Sequence, residues 1–172
     1  MTARIGFRPL EAQDLRLMHE WLRRPHVRRW WDKHETYEDV AAHYLPSIEG
    51  RRLTDLYLML LDDRPIGFIQ RYLVSDHPEY AALVGVGAGV AGVDLFVADE
   101  ELTGKGLGTE VLRRFVRDVV FASPEVTACI ADPDVRNAAS IRAFEKAGFR
   151  RAGEFFDPSD GQMHALVRLE RE

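Results

Sequence analysis

The run LTGKGLGTEVL, residues 102–112, sets Gly104, Gly106 and Gly108 at alternate positions just before a helical pattern begins. Glycines spaced in this way let backbone amides approach an anion closely, and the start of the following helix adds partial positive charge. With Lys105 between the first two glycines, the stretch reads as a cradle for a pyrophosphate. A tight strand-to-helix turn would need glycine for geometry alone; the three-glycine alternation with Lys105 favours the cradle. A Walker loop is excluded, because no Gly-Lys-Ser/Thr follows at the required spacing. The segment GAGVAG, residues 87–92, formally satisfies the dinucleotide pattern G-x-G-x-x-G, but a β pattern follows it where that motif needs a helix. Gly85, Gly87, Gly89 and Gly92 are therefore expected to form a mobile or tightly turned loop.

Asp94 lies in the otherwise apolar strand pattern VDLFVA, a few residues before the cradle and so near the reactive end of whatever the cradle holds. Alternation along a strand sets Val93, Leu95 and Val97 on one face and Asp94, Phe96 and Ala98 on the other. Asp94 is thus expected to point into a cleft while its neighbours fill the core. A carboxylate there suits general-base chemistry on an amine, which at neutral pH is almost wholly protonated and must lose a proton before it attacks. Direct attack on an acyl carbonyl, with a backbone amide of the same strand stabilising the oxyanion, needs no covalent enzyme intermediate. The lone Cys129, inside an apolar strand, is expected to be an inert core residue.

The elements that must position these groups alternate between two periods. Ile5 and Phe7 mark a short strand; Leu15, Met18 and Leu22 repeat at helical spacing; Thr36 with Asp39 resembles a capping box opening a second helix, with Pro46 near its end. LYLMLL and IGFIQRYLV are β-favouring runs joined by DDRP, whose Asp and Pro suit a tight hairpin. VDLFVA is a further strand. Leu107 to Val119 has helical spacing, VTACIA is a strand, Asn137 to Ala147 is a helix closed by Gly148, and two strands occupy roughly 149–156 and 162–169. This order predicts a mixed α/β chain without internal repeats.

A chain of 172 residues makes one domain's worth of core. The net charge of −5 argues against a general nucleic-acid binder. The distribution says more: residues 76–101 carry −6 with no Lys or Arg, whereas 104–117 carry +3, so an anion and a cation can be held side by side. The run RRPHVRRWW mixes cations with aromatics, but a helix end with a solvated cationic face explains it as well as a nucleic-acid surface does. No pair of histidines has convincing metal spacing, so no metal is expected. The start MTARIGFRPL has no apolar signal core, no apolar run reaches membrane length, and a single cysteine agrees with a reducing compartment, which together predict a cytoplasmic protein with no membrane partner.

The cradle together with NAASIRAFEKAGF, residues 137–149, resembles the two acetyl-CoA-binding motifs of the GNAT N-acetyltransferase superfamily, and the resemblance runs over nearly the whole chain in element order. HEWLRRPHVRRWW, YLPSI, PIGFIQRY, GKGLGT, the Asp-Pro before Asn137 and IRAFEKAGF resemble the aminoglycoside 6′-N-acetyltransferases in particular. The resemblance implies a single GNAT domain over 1–172, a mostly antiparallel central sheet splayed near its middle and flanked by helices, and acetyl-CoA as acyl donor. It implies that the amides of Gly104, Lys105, Gly106, Leu107, Gly108 and Thr109 hold the pyrophosphate. Pantetheine would pair with the backbone of Leu95, Phe96 and Val97, Asn137 would meet the pantetheine region, and Phe144 would pack near the thioester. Two positions depart from the pattern. Thr103 stands where the superfamily usually has Gln or Arg to reach a phosphate, and Phe144 stands where many relatives have a tyrosine able to protonate the departing thiolate.

Selectivity for a polycationic amino sugar requires carboxylates and aromatic surfaces. Glu79, Tyr80, Asp94, Asp132 and Asp160, with Tyr72, Trp30 and Trp31, meet that need at positions where the aminoglycoside enzymes carry like residues. Acylation of an N-hydroxylysine side chain is the nearest alternative, since HVRRWW also resembles siderophore-pathway acyltransferases. Acetylation of protein amino termini and a silent CoA-binding module are others. The choice between monomer and homodimer stays open at this level.

Overall fold

The computed structural model describes residues 3–31 and 34–172. In chain order the elements are β1 (Ile5–Pro9), α1 (Leu15–Leu22), α2 (Pro25–Arg28), α3 (Tyr37–Ile48), β2 (Thr54–Leu61), β3 (Arg64–Leu73), α4 (Pro78–Val84), β4 (Val90–Val97), α5 (Leu107–Phe115), β5 (Ala128–Ala131), α6 (Ala138–Lys146), β6 (Arg150–Asp157) and β7 (Gln162–Glu170). The hydrogen-bonded strand order is β1-β2-β3-β4-β5-β7-β6, an open and largely antiparallel sheet. Among the described residues no helix is long and apolar enough to cross a membrane.

The chain divides into two compact units, Met1–Gln70 with Leu95–Thr103, and Arg71–Asp94 with Gly104–Glu172. In the first unit, α1 buries Leu15, Met18, Trp21 and Leu22, the helical stripe expected from the spacing. α3 opens on the capping box: the Thr36 hydroxyl accepts from the Asp39 amide at 3.1 Å, and the Asp39 carboxylate accepts from the Thr36 amide at 3.1 Å. Pro46 lies in the last turn of this helix, which ends at Ile48, close to where the proline marks it. A proline removes one donor and constrains the turn before it, so near a helix end the chain can continue. β1 pairs antiparallel with β2, and the β2–β3 hairpin turns on Asp62 and Asp63, both left-handed with φ of 50° and 66°, as a two-residue turn matched to strand twist requires. Phe68, Phe96, Trp21, Tyr44 and Leu58 sit in the core these elements enclose.

One ion pair in this unit is well placed to report on acid stability. Arg8 grips Asp14 with two hydrogen bonds of 2.9 and 3.0 Å, and the Glu11 amide donates a third at 2.8 Å. Burial by itself would raise the Asp14 carboxyl, but Arg8 and the Glu11 amide hold it below its ordinary value. A depressed folded pKa contributes stability above the unfolded value, about 4, and loses it as pH falls through the folded value. Wild type is therefore expected to exceed Asp14→Asn in urea midpoint at neutral pH, the two converging in acid; a margin independent of pH would rule this pair out as the cause.

The second unit packs Val74, Val90, Ala128, Ile130 and Leu166 as its core, with Tyr72, Tyr80 and Phe155 against it. β5–β7 and β6–β7 are antiparallel, and β4–β5 is parallel. That parallel ladder consists of Val90↔Ala128, Ala91↔Cys129 and Gly92↔Ile130, so it ends before Asp94. Two expectations are corrected here. Residues 78–84, assigned no element by pattern, form α4, with Pro78 in its first turn and Gly85 closing it. Gly92 lies in β4 and not in a loop: a Cβ there would stand 2.4 Å from Cζ of Tyr72, so the strand needs a residue with no side chain where the tyrosine ring crosses it.

Candidate active site

The glycine-spaced turn leads directly into α5. Gly104 and Gly106 have φ of 72° and 81°, and Gly106 is the N-cap of α5. An added Cβ would meet nothing within 4 Å at either position, so the left-handed backbone, and not crowding, selects glycine. Gly108 faces α6, where a Cβ would sit 4.0 Å from that of Ala143. The first amides of an α-helix have no partner within the helix, so those of Leu107, Gly108 and Thr109 lie where an anion can take them. Lys105 is exposed, and Thr109 is buried. The Thr103 hydroxyl donates to the Glu100 carbonyl at 2.6 Å, tying that side chain to its own turn. Asn137 caps α6, its Oδ1 accepting from the Ser140 amide at 3.2 Å. Phe144 is buried edge-to-face against Phe149, with ring centres 5.1 Å apart.

A second cluster in the same unit gathers acids and tyrosines from five places. Tyr72 comes from β3, Tyr80 from α4, Asp94 from β4, Asp132 from the end of β5, and Asp160 from the β6–β7 turn. The Tyr72 and Tyr80 rings meet edge-on at 6.1 Å, and Tyr80 packs against Phe155. Burial pushes both phenols up, and the charges of Asp94 and Asp132 push them further, so both remain protonated donors. The Tyr80 hydroxyl is buried beside the Tyr72 hydroxyl and the Asp132 carboxylate, both of which act on it through hydrogen bonding. Glu79 is exposed on α4.

No sequence pattern marks His164 on β7, yet it lies between two of these acids. Its Nδ1 is 2.6 Å from the Asp132 carbonyl oxygen and 3.3 Å from the Asp132 carboxylate, while Nε2 is 2.7 Å from Asp160 Oδ2. The Asp132 carboxylate and then Asp160 raise its pKa to about 10 against the opposing effect of burial. A lone histidine in a strand gives no hint of partners 32 residues away. Asp132, Asp157 and His164 have ligating atoms within 4.8 Å of one another, which by distance would admit a cation. Both ring nitrogens donate to oxygen acceptors, however, which leaves no lone pair for a metal. Cys129 is fully buried, and burial first and Asp94 second push its thiol up, so it is not a thiolate nucleophile.

The remaining residues marked by sequence fall in the first unit. Phe96 and Ala98 enter its core, whereas Leu95 and Val97 are only half-buried, the reverse of the expected facing. β4 passes from one unit to the other between Asp94 and Leu95, so strict alternation does not predict which face is covered along its length. Trp31 is a packing residue: its indole donates to the Tyr44 hydroxyl at 3.1 Å, and its ring meets Phe96 and Phe68 edge-on at 5.0 and 5.8 Å. Trp30 lies under the Arg29 guanidinium, 4.6 Å from it. The RRPHVRRWW run has a structural task here, because Arg24 donates to the Ala98 carbonyl at 2.6 Å and His26 Nε2 to that of Val97 at 3.0 Å.

Residues 11–156 match the acetyltransferase (GNAT) domain family. The chain is 36% identical over 167 residues to an aminoglycoside N(6′)-acetyltransferase type 1 of Klebsiella pneumoniae, covering 95% of this chain and 82% of that one. It superposes with a TM-score of 0.86 and 33% identity on a crystal structure of the aminoglycoside acetyltransferase AAC(6′)-Ib with coenzyme A and kanamycin, covering 98% of this chain and 95% of that one. It is also 27% identical, over 96% of its length and 77% of the other's, to the lysine N-acyltransferase MbtK of Mycobacterium tuberculosis.

Proposed function

Because this chain belongs to the GNAT acetyltransferase family, we propose that it moves the acetyl group of acetyl-CoA onto an amine, the 6′ amine, of an aminoglycoside. The observation that carries the acceptor assignment is the acid and tyrosine cluster of the second unit, in which the buried Tyr72 and Tyr80 phenols lie in the field of Asp94 and Asp132. A polyhydroxylated cation meets carboxylates for its ammonium groups and a phenol for a sugar hydroxyl there. An acceptor bearing its own carboxylate, as a lysine does, would be repelled by the same acids.

The donor side fits its ligand: two left-handed glycines and the open start of α5 suit a diphosphate. The same reading gives the backbone of Leu95, Phe96 and Val97 to the pantetheine arm. Acetyl-CoA supplies an electrophilic thioester carbonyl. Asp94 accepts the proton from the acceptor ammonium; the freed nitrogen lone pair forms the C–N bond as the C–S bond breaks. The newly bonded nitrogen sheds its second proton to water and the thiolate takes one up from water, because Phe144 has none to give. Acetylation removes a positive charge from the drug, which is the basis of resistance.

The test is thiol release from acetyl-CoA with a panel of kanamycins, N-hydroxylysine and peptides with free amino termini, with the product located by NMR. Release with kanamycins and an acetyl group on N6′ is expected. Turnover of hydroxylysine alone would transfer the enzyme to the siderophore-type alternative, and no release with any acceptor would leave a CoA-binding module.

A further inference from the structure

The two acids furthest from Asp94 in sequence already hold a cation that belongs to the protein. A carbonyl oxygen and a carboxylate can only accept, so the contacts of His164 Nδ1 with the Asp132 carbonyl at 2.6 Å and of Nε2 with Asp160 at 2.7 Å require a proton on both nitrogens. The ring cannot turn away easily. It stacks on Phe155 at 5.6 Å and 21°, its own backbone pairs with Phe155 across the β6–β7 ladder and bridges to Asp134, and the side chain is only 11% exposed. The acids facing it are Asp132, Asp157 and Asp160, while the neighbouring Asp134 is paired with Arg136 at 2.8 Å.

Building on the acceptor assignment above, we propose that His164 is a specificity-determining residue of that site: a resident imidazolium that occupies Asp132 and Asp160, so that the acceptor group placed there is a sugar hydroxyl and not a second ammonium. A hydroxyl donates into the remaining lone pairs of a carboxylate without displacing the imidazolium, whereas an ammonium must either displace it or sit beside a like charge. The raised pKa, about 10, agrees with a ring that stays charged throughout the physiological range. The acceptor class this selects is an amino sugar with its reactive amine toward Asp94 and hydroxyls on the flank that meets Asp132 and Asp160.

Two kanamycins that differ at the 2′ position, one with a hydroxyl and one with an amine, test this in steady-state assays of the full chain. In His164→Gln the KM of the 2′-amino acceptor is expected to fall about tenfold relative to the 2′-hydroxyl one, as removal of one opposing charge implies, while the acetyl-CoA KM holds. His164→Lys, which returns a cation, should restore the wild-type preference. A purely structural role would move both acceptors and acetyl-CoA together, and equal KM changes for the two kanamycins overturn the inference. So does a ¹⁵N spectrum of the wild-type protein at neutral pH in which the His164 ring is neutral, a readout that needs no activity. Failure of wild type to turn over either kanamycin would instead remove the acceptor assignment itself, and this inference with it.

Discussion

Asp94→Asn is expected to lower kcat by about 10²- to 10⁴-fold while leaving calorimetric binding of coenzyme A unchanged. The acceptor amine arrives protonated, and each unit of pKa above the working pH costs about 1.4 kcal/mol of available nucleophile. Asn keeps the size of Asp and can still accept a hydrogen bond, but it cannot take a proton. Asp94 lies just past the end of the β4–β5 ladder, in the same unit as the cradle and both tyrosines, and its charge is felt by Tyr72, Tyr80 and Cys129. A variant within threefold of wild type in kcat would show that water or another group removes the proton.

The second large effect is on stability. Gly67 of β3 lies tight against β4 in the first unit: an added Cβ would stand 2.3 Å from the Phe96 carbonyl oxygen, 2.3 Å from Cε of Met59 and 3.1 Å from Cα of Val97. The Met59 methyl can move aside, but the backbone of β4 cannot yield without breaking what anchors it, the bonds from His26 to Val97 and from Arg24 to Ala98. Overpacking of this kind costs about 3 kcal/mol, so Gly67→Ala should lower Tm by roughly 6–12 °C. Gly6 is the internal control: it also lies in a strand, but its nearest neighbour would be 4.0 Å from a new Cβ, and Gly6→Ala should shift Tm far less. Equal effects of the two substitutions would show that the cost lies in strand propensity and not in the approach of β3 to β4.

What was legible in the residues alone was whatever is settled over a few positions of chain. The Thr36–Asp39 capping box, the buried stripe of α1 and the Asp62–Asp63 turn all rest on contacts or backbone angles within about one turn, and each is found as the pattern predicts. The family motifs are of this kind too, since the cradle and the α6 sequence are contiguous. Short elements escaped where their signals were few: α4 has only seven residues, and its proline and glycine were overshadowed by the glycine-rich run that follows.

The facing of β4, the packing of Trp31 and the state of the acid cluster were decided only by tertiary structure. Val97 is bonded by a histidine 71 residues earlier, and Asp132 by one 32 residues later. Nothing in either neighbourhood records the other, because an electrostatic or packing partner is chosen by distance in space, whereas a sequence pattern reports only spacing along the chain. The chain's own residues show that carboxylates and tyrosines are present; that His164 lies between two of those carboxylates is a property of the fold.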